Sequence, residues 1–596
     1  MKILKSAREL GLTEHAVKLV IERFLRKDKD GYVIETPHSM FRRAARCIAD
    51  IDREFGKTED EIENFEQEIY NYFTKKEYIS TRPLVNAGRP YPYQQLSSCY
   101  VLPIKDNLSS IFDTLQKAAF LQRWDSAAGI DFSPLRPKGD IIRSTGGVSS
   151  GPISFMKVFD EITTAISEGS TRRGANMGVL RVDHPDIEEF IKVKRTPGVL
   201  ENFNISVSVT DDFMERVKKN KDYYLVNPRT GEKVKKVSAR KIFRMIVESM
   251  WLCGDPGIIF IDEINRHNPT PHIGNISAVN LCGEQPLLPY ESCNLCNINL
   301  KSMLKEEKKS SGKVVKVIDF DKLEKTVRSA VHFLDNTIEA NHYLFKETEE
   351  IVKNGNRKIG VGIMGWADVL INLGIPCDSS DAFSLAEKLM KFIYEVANDA
   401  SFLLSKERGF FQNYPGSMLE KEGIGPRRNA CITTIAPTGN AAIIADCSHS
   451  IEPLYALAYT RVGLGRGKSF DKWENFKIIN EAFMKIAEER GFLTDDLKKE
   501  ILYTGSIQHI KELPDDIKEL FKTALDIDPK DHVRMQASFQ KYVDSAVSKT
   551  VNMKENCTRE DIEEVIFLAY ELKCKGITIY RDNSREKQIL KTGVNG

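Results

Sequence analysis

Neither sign of charge dominates this chain: 86 Lys and Arg stand against 85 Asp and Glu over 596 residues. The clustered basic surface that binds nucleic acid or an anionic membrane is therefore lacking. Long apolar runs are lacking too. Gly257 to Ile261 and Ala441 to Ala445 are among the longest, whereas a bilayer span takes about 20 residues. Met1 to Lys5 leads into no apolar stretch, so no secretory signal is read. Cysteine is sparse and odd in number. The 11 thiols are Cys47, Cys99, Cys253, Cys282, Cys293, Cys296, Cys377, Cys431, Cys447, Cys557 and Cys574, a scatter that suits a reducing, cytoplasmic setting. Internal repeats and low-complexity blocks are missing. With 41% hydrophobic residues, the chain is not a disordered one.

What is present changes texture along the chain. Residues 1–78 read as helical, with Ala16-Val17, Leu19-Val20, Phe24-Leu25, Phe41, Ala44-Ala45 and Ile48 at helical spacing. Thr36-Pro37 is a helix start. From residue 79, short apolar runs alternate with turns and amphipathic helices: Cys99 to Pro103, Val179 to Val182, Ile205 to Val209, Ile258 to Ile261, Cys431 to Ala436 and Lys575 to Tyr580. Strands alternating with helices imply parallel pairing and an α/β body. Charged helices are expected at 472–491 and 514–524, and Lys305 to Lys316 reads as a solvated loop.

Two motifs mislead. Gly360-Val-Gly-Ile-Met-Gly365 spells a dinucleotide-binding string, but the polar Asn354 to Lys358 before it offers no strand, so close helix packing is expected instead. Cys293-x-x-Cys296 could be half a zinc site, yet no second CxxC or HxxxH exists to complete four ligands. His267 and His272 are separated by Pro269 and Pro271, which orient nothing. No metal site is expected.

The informative stretch is Asn280-Leu-Cys282-Gly-Glu284-Gln-Pro286. Gly283, Pro286 and Pro289 discourage a helix, and in an extended segment residues two apart share a face. Asn280, Cys282 and Glu284 would then present an amide, a thiol and a carboxylate to one small substrate. Cys293 follows closely, Ser98-Cys99 stands far upstream, and Cys431 to Ala436 leads into Pro437-Thr-Gly-Asn440. That last succession of strand, turn and helix start can bind phosphate through free backbone N–H groups.

With these segments the sequence resembles the large catalytic subunit of ribonucleotide reductase, most nearly the adenosylcobalamin-dependent class II enzymes. Leu96-Ser-Ser-Cys99, Leu135-Arg-Pro-Lys-Gly139, Ser150 to Met156, His184 to Glu189, Gly254-Asp-Pro-Gly257, Asn280 to Glu284, Pro437-Thr-Gly439 and Gly576 to Asp582 carry the resemblance in family order. It implies a ten-stranded α/β barrel of two five-stranded parallel halves, antiparallel to each other. A central finger loop would bear Cys282 inside the barrel. The implied division is a helical region at 1–78, the barrel at 79–582 and a tail at 583–596.

By the same resemblance Cys282 would carry a thiyl radical, Glu284 would act as general base, Asn280 would hold the ribose, and Cys99 with Cys293 would form the redox pair. Thr81 and Ser98 would contact substrate, with its diphosphate on Pro437, Thr438, Gly439, Asn440, Ala441 and Ala442. Asp106, Arg136, Arg143 and Arg172 would bind or relay a deoxynucleoside triphosphate effector. The implied reaction is reduction of ribonucleoside diphosphates by a homodimer with adenosylcobalamin and a thioredoxin-like or small-thiol reductant, without membrane or nucleic acid. A class I-type subunit needing a separate radical-generating partner, and a non-catalytic nucleotide-binding paralogue, are the alternatives. The single Tyr580, where class I enzymes have adjacent tyrosines, speaks for the cobalamin class. The sequence departs from the family in Trp124 to Gly129, which replaces a glycine triplet, in Asn440-Ala441-Ala442, in Leu281, and in having no C-terminal cysteine pair. That last departure leaves an external reductant acting directly, or a shortened chain.

Overall fold

The computed structural model describes residues 2–90, 94–167, 174–461, 476–584 and 590–592. Helices Lys2–Glu9, Glu14–Arg23, Pro37–Ala49 and Glu59–Thr74 open the chain. Thr36 caps the third in a capping box with Ser39, and Pro37 occupies its first turn, where a missing N–H costs nothing. Their apolar stripes pack inward, with Phe41 stacked on Phe73 at 5.8 Å. No helix among the described residues is long and apolar enough to cross a membrane.

Among the described residues the body is a ten-stranded sheet, made of β1 (Cys99–Leu102), β2 (Ala127–Asp131), β3 (Asn176–Arg181), β4 (Phe203–Val209), β5 (Gly257–Phe260), β6 (Ser292–Asn299), β7 (Ile359–Met364), β8 (Thr550–Met553) and β9 (Gly576–Arg581), with the short Tyr78–Ile79 antiparallel to β6. β1 to β5 pair in parallel in chain order. β5 meets β9 antiparallel, and β9 pairs in parallel with β8. On the other side β6 runs antiparallel to β1 and parallel to β7. The run 431–436 closes the ring: Thr433 pairs in parallel with Val361 of β7, and Ile435 with Val547, just before β8. Two parallel halves of five extended segments thus meet antiparallel at both seams.

Alternation along the strands separates two environments. Tyr100, Leu102, Ile130, Leu180, Val207, Ile258 and Phe260 face outward into a core shared with the surrounding helices. Val101, Met177, Val179, Ile259 and Cys293 face inward, where they pack on Ala278, Val279, Leu287 and Leu288. Those last four belong to a hairpin, Ala278–Val279 paired with Pro286–Leu287, that runs inside the ring. Gly129 lets it in: a Cβ there would stand 1.8 Å from the Val279 carbonyl oxygen.

Several expectations change. Cys431 to Ala436 is extended but not a regular strand, since its pairs are isolated ones. Gly360 and Gly362 lie in β7 rather than against a helix, and a Cβ on Gly362 would meet the Thr434 carbonyl oxygen at 2.5 Å. The stretch at 305–316 is largely a hairpin, Leu304–Lys308 with Val314–Ile318. A strand, Phe476–Ile479, precedes helix Glu481–Glu489 where one charged helix was expected, and residues 472–475 lie outside the described residues. A helix at Asp495–Thr504 was not anticipated, and the one expected at 514–524 is confined to Asp515–Leu520.

Candidate active site

At the seam between the halves, Cys99 of β1 and Cys293 of β6 are direct antiparallel partners. Such residues have Cα atoms about 4.5–5.5 Å apart, within the reach of a disulfide. Neither is in a disulfide. Cys296, three residues on, points to the opposite face and packs in the outer core, so Cys293 and Cys296 cannot share a zinc ion.

The hairpin tip reaches this pair. It is a tight turn, not the extended run expected from the sequence. Gly283 N donates to Asn280 O at 3.2 Å, and Asn280 N donates to Gln285 O at 3.0 Å. Gly283 has φ 83°, a left-handed conformation that favours glycine. The turn separates the three residues that an extended segment would have aligned. Asn280 and Glu284 are buried, whereas Cys282 at the apex is exposed. Asn280 Nδ2 donates to Cys99 Sγ at 3.1 Å, and Cys99 Sγ donates to Glu284 Oε1 at 3.8 Å. Ser98 Oγ lies 3.6 Å from Cys99 Sγ.

The second half holds the tip from the other side. Thr434 Oγ1 and Ala546 N donate to Glu284 O, each at 2.9 Å. Burial raises the pKa of the Glu284 carboxyl, against lowering by hydrogen bonds that include those from Asn280 and Cys99. Its Oε2 has no hydrogen-bond partner among the described residues, so a buried acceptor is left unsatisfied by them. Burial also pushes the Cys293 thiol well above its ordinary value. The arrangement offers a carboxylate made more basic by burial beside a dithiol, with an exposed thiol at the apex of the same hairpin, groups suited to proton abstraction and two-electron reduction.

The other expected residues are spread more widely. Thr81 is half-buried and begins the short helix Thr81–Asn86; Ser80 beside it donates to Leu295 O of β6 at 2.6 Å. Thr438 is buried with φ 57° and caps helix Gly439–Ala445; its Oγ1 accepts from Ser450 N at 2.8 Å. Ala442 N returns to Thr438 O at 2.8 Å, so the amides of Gly439, Asn440 and Ala441 precede the helix's own ladder. A Cβ on Gly439 would meet open space. Pro437 is exposed, and Ala441 and Ala442 are buried. Asp106 and Arg136 form an ion pair at 2.8 Å. Arg143 lies in the exposed link between Ile141–Ile142 and Gly147–Val148, and Arg172 lies outside the described residues. Reading the sequence missed Thr434, Gly129 as the hairpin's point of entry, and a buried Lys358–Glu291 pair at 2.6 Å. Only Gly129 left a signal, as the one glycine kept where a triplet is usual.

A strand ring around a cysteine-tipped hairpin, with a thiol pair facing it, defines the class of fold as a strand-ring barrel with an inserted hairpin. The family described as "Ribonucleotide reductase, barrel domain" matches residues 97–580, and "Ribonucleotide reductase, all-alpha domain" matches 10–92. The chain is similar to a vitamin B12-dependent ribonucleoside-diphosphate reductase of Thermoplasma acidophilum, 42% identical over 98% of this chain and 81% of the relative. A protein of the same name from Mycobacterium tuberculosis (strain CDC 1551) is 42% identical over 98% of this chain and 82% of its own. The fold resembles that of a class Id ribonucleotide reductase alpha subunit from Actinobacillus ureae, with a TM-score of 0.75, 22% identity, and 96% of this chain and 97% of that one covered. The chain belongs to the ribonucleotide reductase family.

Proposed function

We propose that this protein reduces ribonucleoside diphosphates to 2′-deoxyribonucleoside diphosphates, as a cobalamin-dependent, class II catalytic subunit. The observation that carries the reading is the contrast among its cysteines. Of the eleven, Cys282 alone is exposed, and it sits at the apex of a hairpin whose flanks touch Cys99.

Cys282 takes the 3′ hydrogen of the ribose as a thiyl radical. Glu284, made more basic by burial, accepts the 3′-hydroxyl proton, and Asn280 orients the sugar. Cys99 and Cys293 give up two protons and two electrons, and Cys282 returns the hydrogen to the 3′ carbon. The 2′-hydroxyl leaves as water, and the pair ends as a disulfide. When bound, adenosylcobalamin supplies the carbon radical that activates the Cys282 thiol. The exposed apex of the hairpin fits so large a group. Ser98 and Thr81 line the ribose side, and the 437–442 turn takes the diphosphate through its backbone amides.

Asp106, Arg136, Arg143 and Arg172 serve a deoxynucleoside triphosphate effector. Leu108, Phe112 and Phe120 of helix Leu108–Arg123 and Val158 of helix Pro152–Ser167 are exposed apolar residues, which supports a homodimer through that face. A thioredoxin-like protein or a small thiol restores the dithiol. Cysteines held as thiols fit a cytoplasmic setting, and the division at 1–78, 79–582 and 583–596 accords with the helical opening.

The test is turnover of CDP with adenosylcobalamin and dithiothreitol. Wild-type protein is expected to form dCDP, and Cys282→Ser none. Activity in Cys282→Ser, or activity that ignores cobalamin and requires a second polypeptide, overturns the reading.

A further inference from the structure

The redox strand carries a buried cation that the reaction just described does not use. Lys358 immediately precedes β7, and Asn294 pairs with Ile359 in parallel register, so Lys358 comes level with Cys293 on the neighbouring strand. Parity puts both on the inner face. Gly360 and Gly362 face the interior, where a Cβ would meet Leu295, Gln285 and Thr434, and Lys358 stands two residues before Gly360. Cys293 belongs to the inner cluster. Neighbouring strands lie about 4.8 Å apart, so an ammonium and a thiol share one patch of wall.

Lys358 is held, not adventitious. Its Nζ meets Glu291 Oε2 at 2.6 Å with both side chains 1% exposed. Glu291 in turn accepts from Asn356 Nδ2 at 2.5 Å and from Leu288 N at 2.6 Å. The carboxylate is thus shared among three donors, while the ammonium has further hydrogens to offer. Lys358 lowers the pKa of the Cys293 thiol, against the larger raising effect of burial.

Accessibility gives this cation a task. Cys99 is 7% exposed and Cys293 1%, so an external thiolate reaches the sulfur of Cys99 first. We propose that Lys358 stabilises the thiolate of Cys293 as leaving group when an external thiol re-reduces the Cys99–Cys293 disulfide. The attacking thiolate forms a mixed disulfide with Cys99 Sγ, the bond between the two protein sulfurs breaks, and its electron pair goes to Cys293 Sγ. A second thiol of the reductant then resolves the mixed disulfide, and solvent protons restore both protein thiols. A buried thiolate is a poor leaving group, and leaving-group basicity controls the rate of such exchange. Lys358 is therefore a positioning residue that acts through Cys293 and leaves the radical step alone. The inference rests on the redox pair proposed above.

The experiment uses the full-length protein oxidised by one round of CDP reduction, with the disulfide located by peptide mass. The rate of reduction by dithiothreitol is then measured by stopped-flow quench. Lys358→Met is expected to be re-reduced about tenfold more slowly, while its pre-reduced form still yields wild-type dCDP in a single turnover. Lys358→Arg is expected to restore most of the rate. A double variant, K358M with E291L, removes both charges without stranding a carboxylate and is expected to be as slow as Lys358→Met. A wild-type rate in Lys358→Met, equal slowing in Met and Arg variants, or a fast double variant overturns the proposal. If wild-type protein forms no disulfide between positions 99 and 293, the proposed reaction fails instead.

Discussion

Glu284 and Asp335 are both fully buried carboxylates, and the molecule treats them in opposite ways. Asp335 lies on helix Phe320–Ala340, where the entrances to β7 and to the 431–436 run converge. Burial pushes its pKa up, but Arg357 at 2.8 Å, Arg428 at 3.2 Å and Arg408 at 3.5 Å reverse the shift and hold it well below the usual range. Arg408 also pairs with Asp52 of the N-terminal helical region at 2.6 Å. Among the described residues Glu284 has no ion-paired cation and keeps one oxygen without a hydrogen-bond partner, and its pKa is raised. The difference separates structural from chemical use of a charge. A carboxylate that organises the fold is saturated with donors; the one to which the proposed reaction assigns a proton is left unsatisfied, at a cost in stability.

The comparison breaks first at Glu284. Glu284→Gln is expected to lower dCDP formation by about 10²–10⁴-fold, the usual worth of a positioned general base, while stabilising the fold at neutral pH, because burial raises the pKa of the carboxyl. The sign follows from the raised pKa. Below about pH 4 the carboxyl is protonated whether folded or unfolded and costs nothing extra. As pH rises the unfolded state ionises first, so the penalty grows until the folded pKa is passed. The stability gain of Glu284→Gln should therefore vanish in acid. Urea melts across pH check it, and a loss of stability at neutral pH would contradict the assignment.

Asp335→Asn should behave in the reverse sense. Leaving three arginines short of their acceptor is expected to cost about 3–5 kcal/mol with the chemical groups untouched. A depressed folded pKa means that the stabilisation is complete above about pH 4 and is lost as pH falls below it. The deficit of Asp335→Asn relative to wild type should be largest at neutral pH and shrink in acid. If the deficit is independent of pH, the cluster does not act through Asp335's charge.

These two sites also differ in how far the sequence discloses them. Four strands of the first half were legible because β1, β3, β4 and β5 are apolar runs bounded by turns, and burial on both faces produces that texture directly; β2, the short Ala127–Asp131 with a glycine inside it, was not read as a strand. Cys99, Asn280, Glu284 and Cys293 were found through spacing and family resemblance, and the structure brings them together. The turn was not foreseen: period-2 reasoning put Cys282 on the face of Asn280 and Glu284, whereas the left-handed Gly283 rotates the thiol outward. The second half was harder. The 431–436 run and the segment before β8 pair at single residues, so their hydrogen bonds go partly to the hairpin and to side chains, leaving no alternating pattern. The arginine cluster gave no signal, because Asp52, Asp335, Arg408 and Arg428 meet only once helix and strand ends are assembled.

Gly129 allows the smallest of these tests and the most local one. Its side of β2 faces the hairpin, where a Cβ would stand 1.8 Å from the Val279 carbonyl oxygen, backbone that cannot swing aside as a side chain can. Gly129→Ala must displace the hairpin or the strand, at a cost of about 1–3 kcal/mol. Displacing the hairpin moves Asn280 and Glu284 relative to Cys99, and a shift of about 1 Å can cost about 10²-fold in rate. Ala128 is the control, since its methyl faces the outer core. Ala128→Gly should lose about 0.5–1 kcal/mol by backbone entropy and keep its activity. Thermal melts and CDP turnover on the pair decide the matter. Equal activity in the two variants would mean that the chemistry tolerates a shifted hairpin, and that Gly129 serves packing alone.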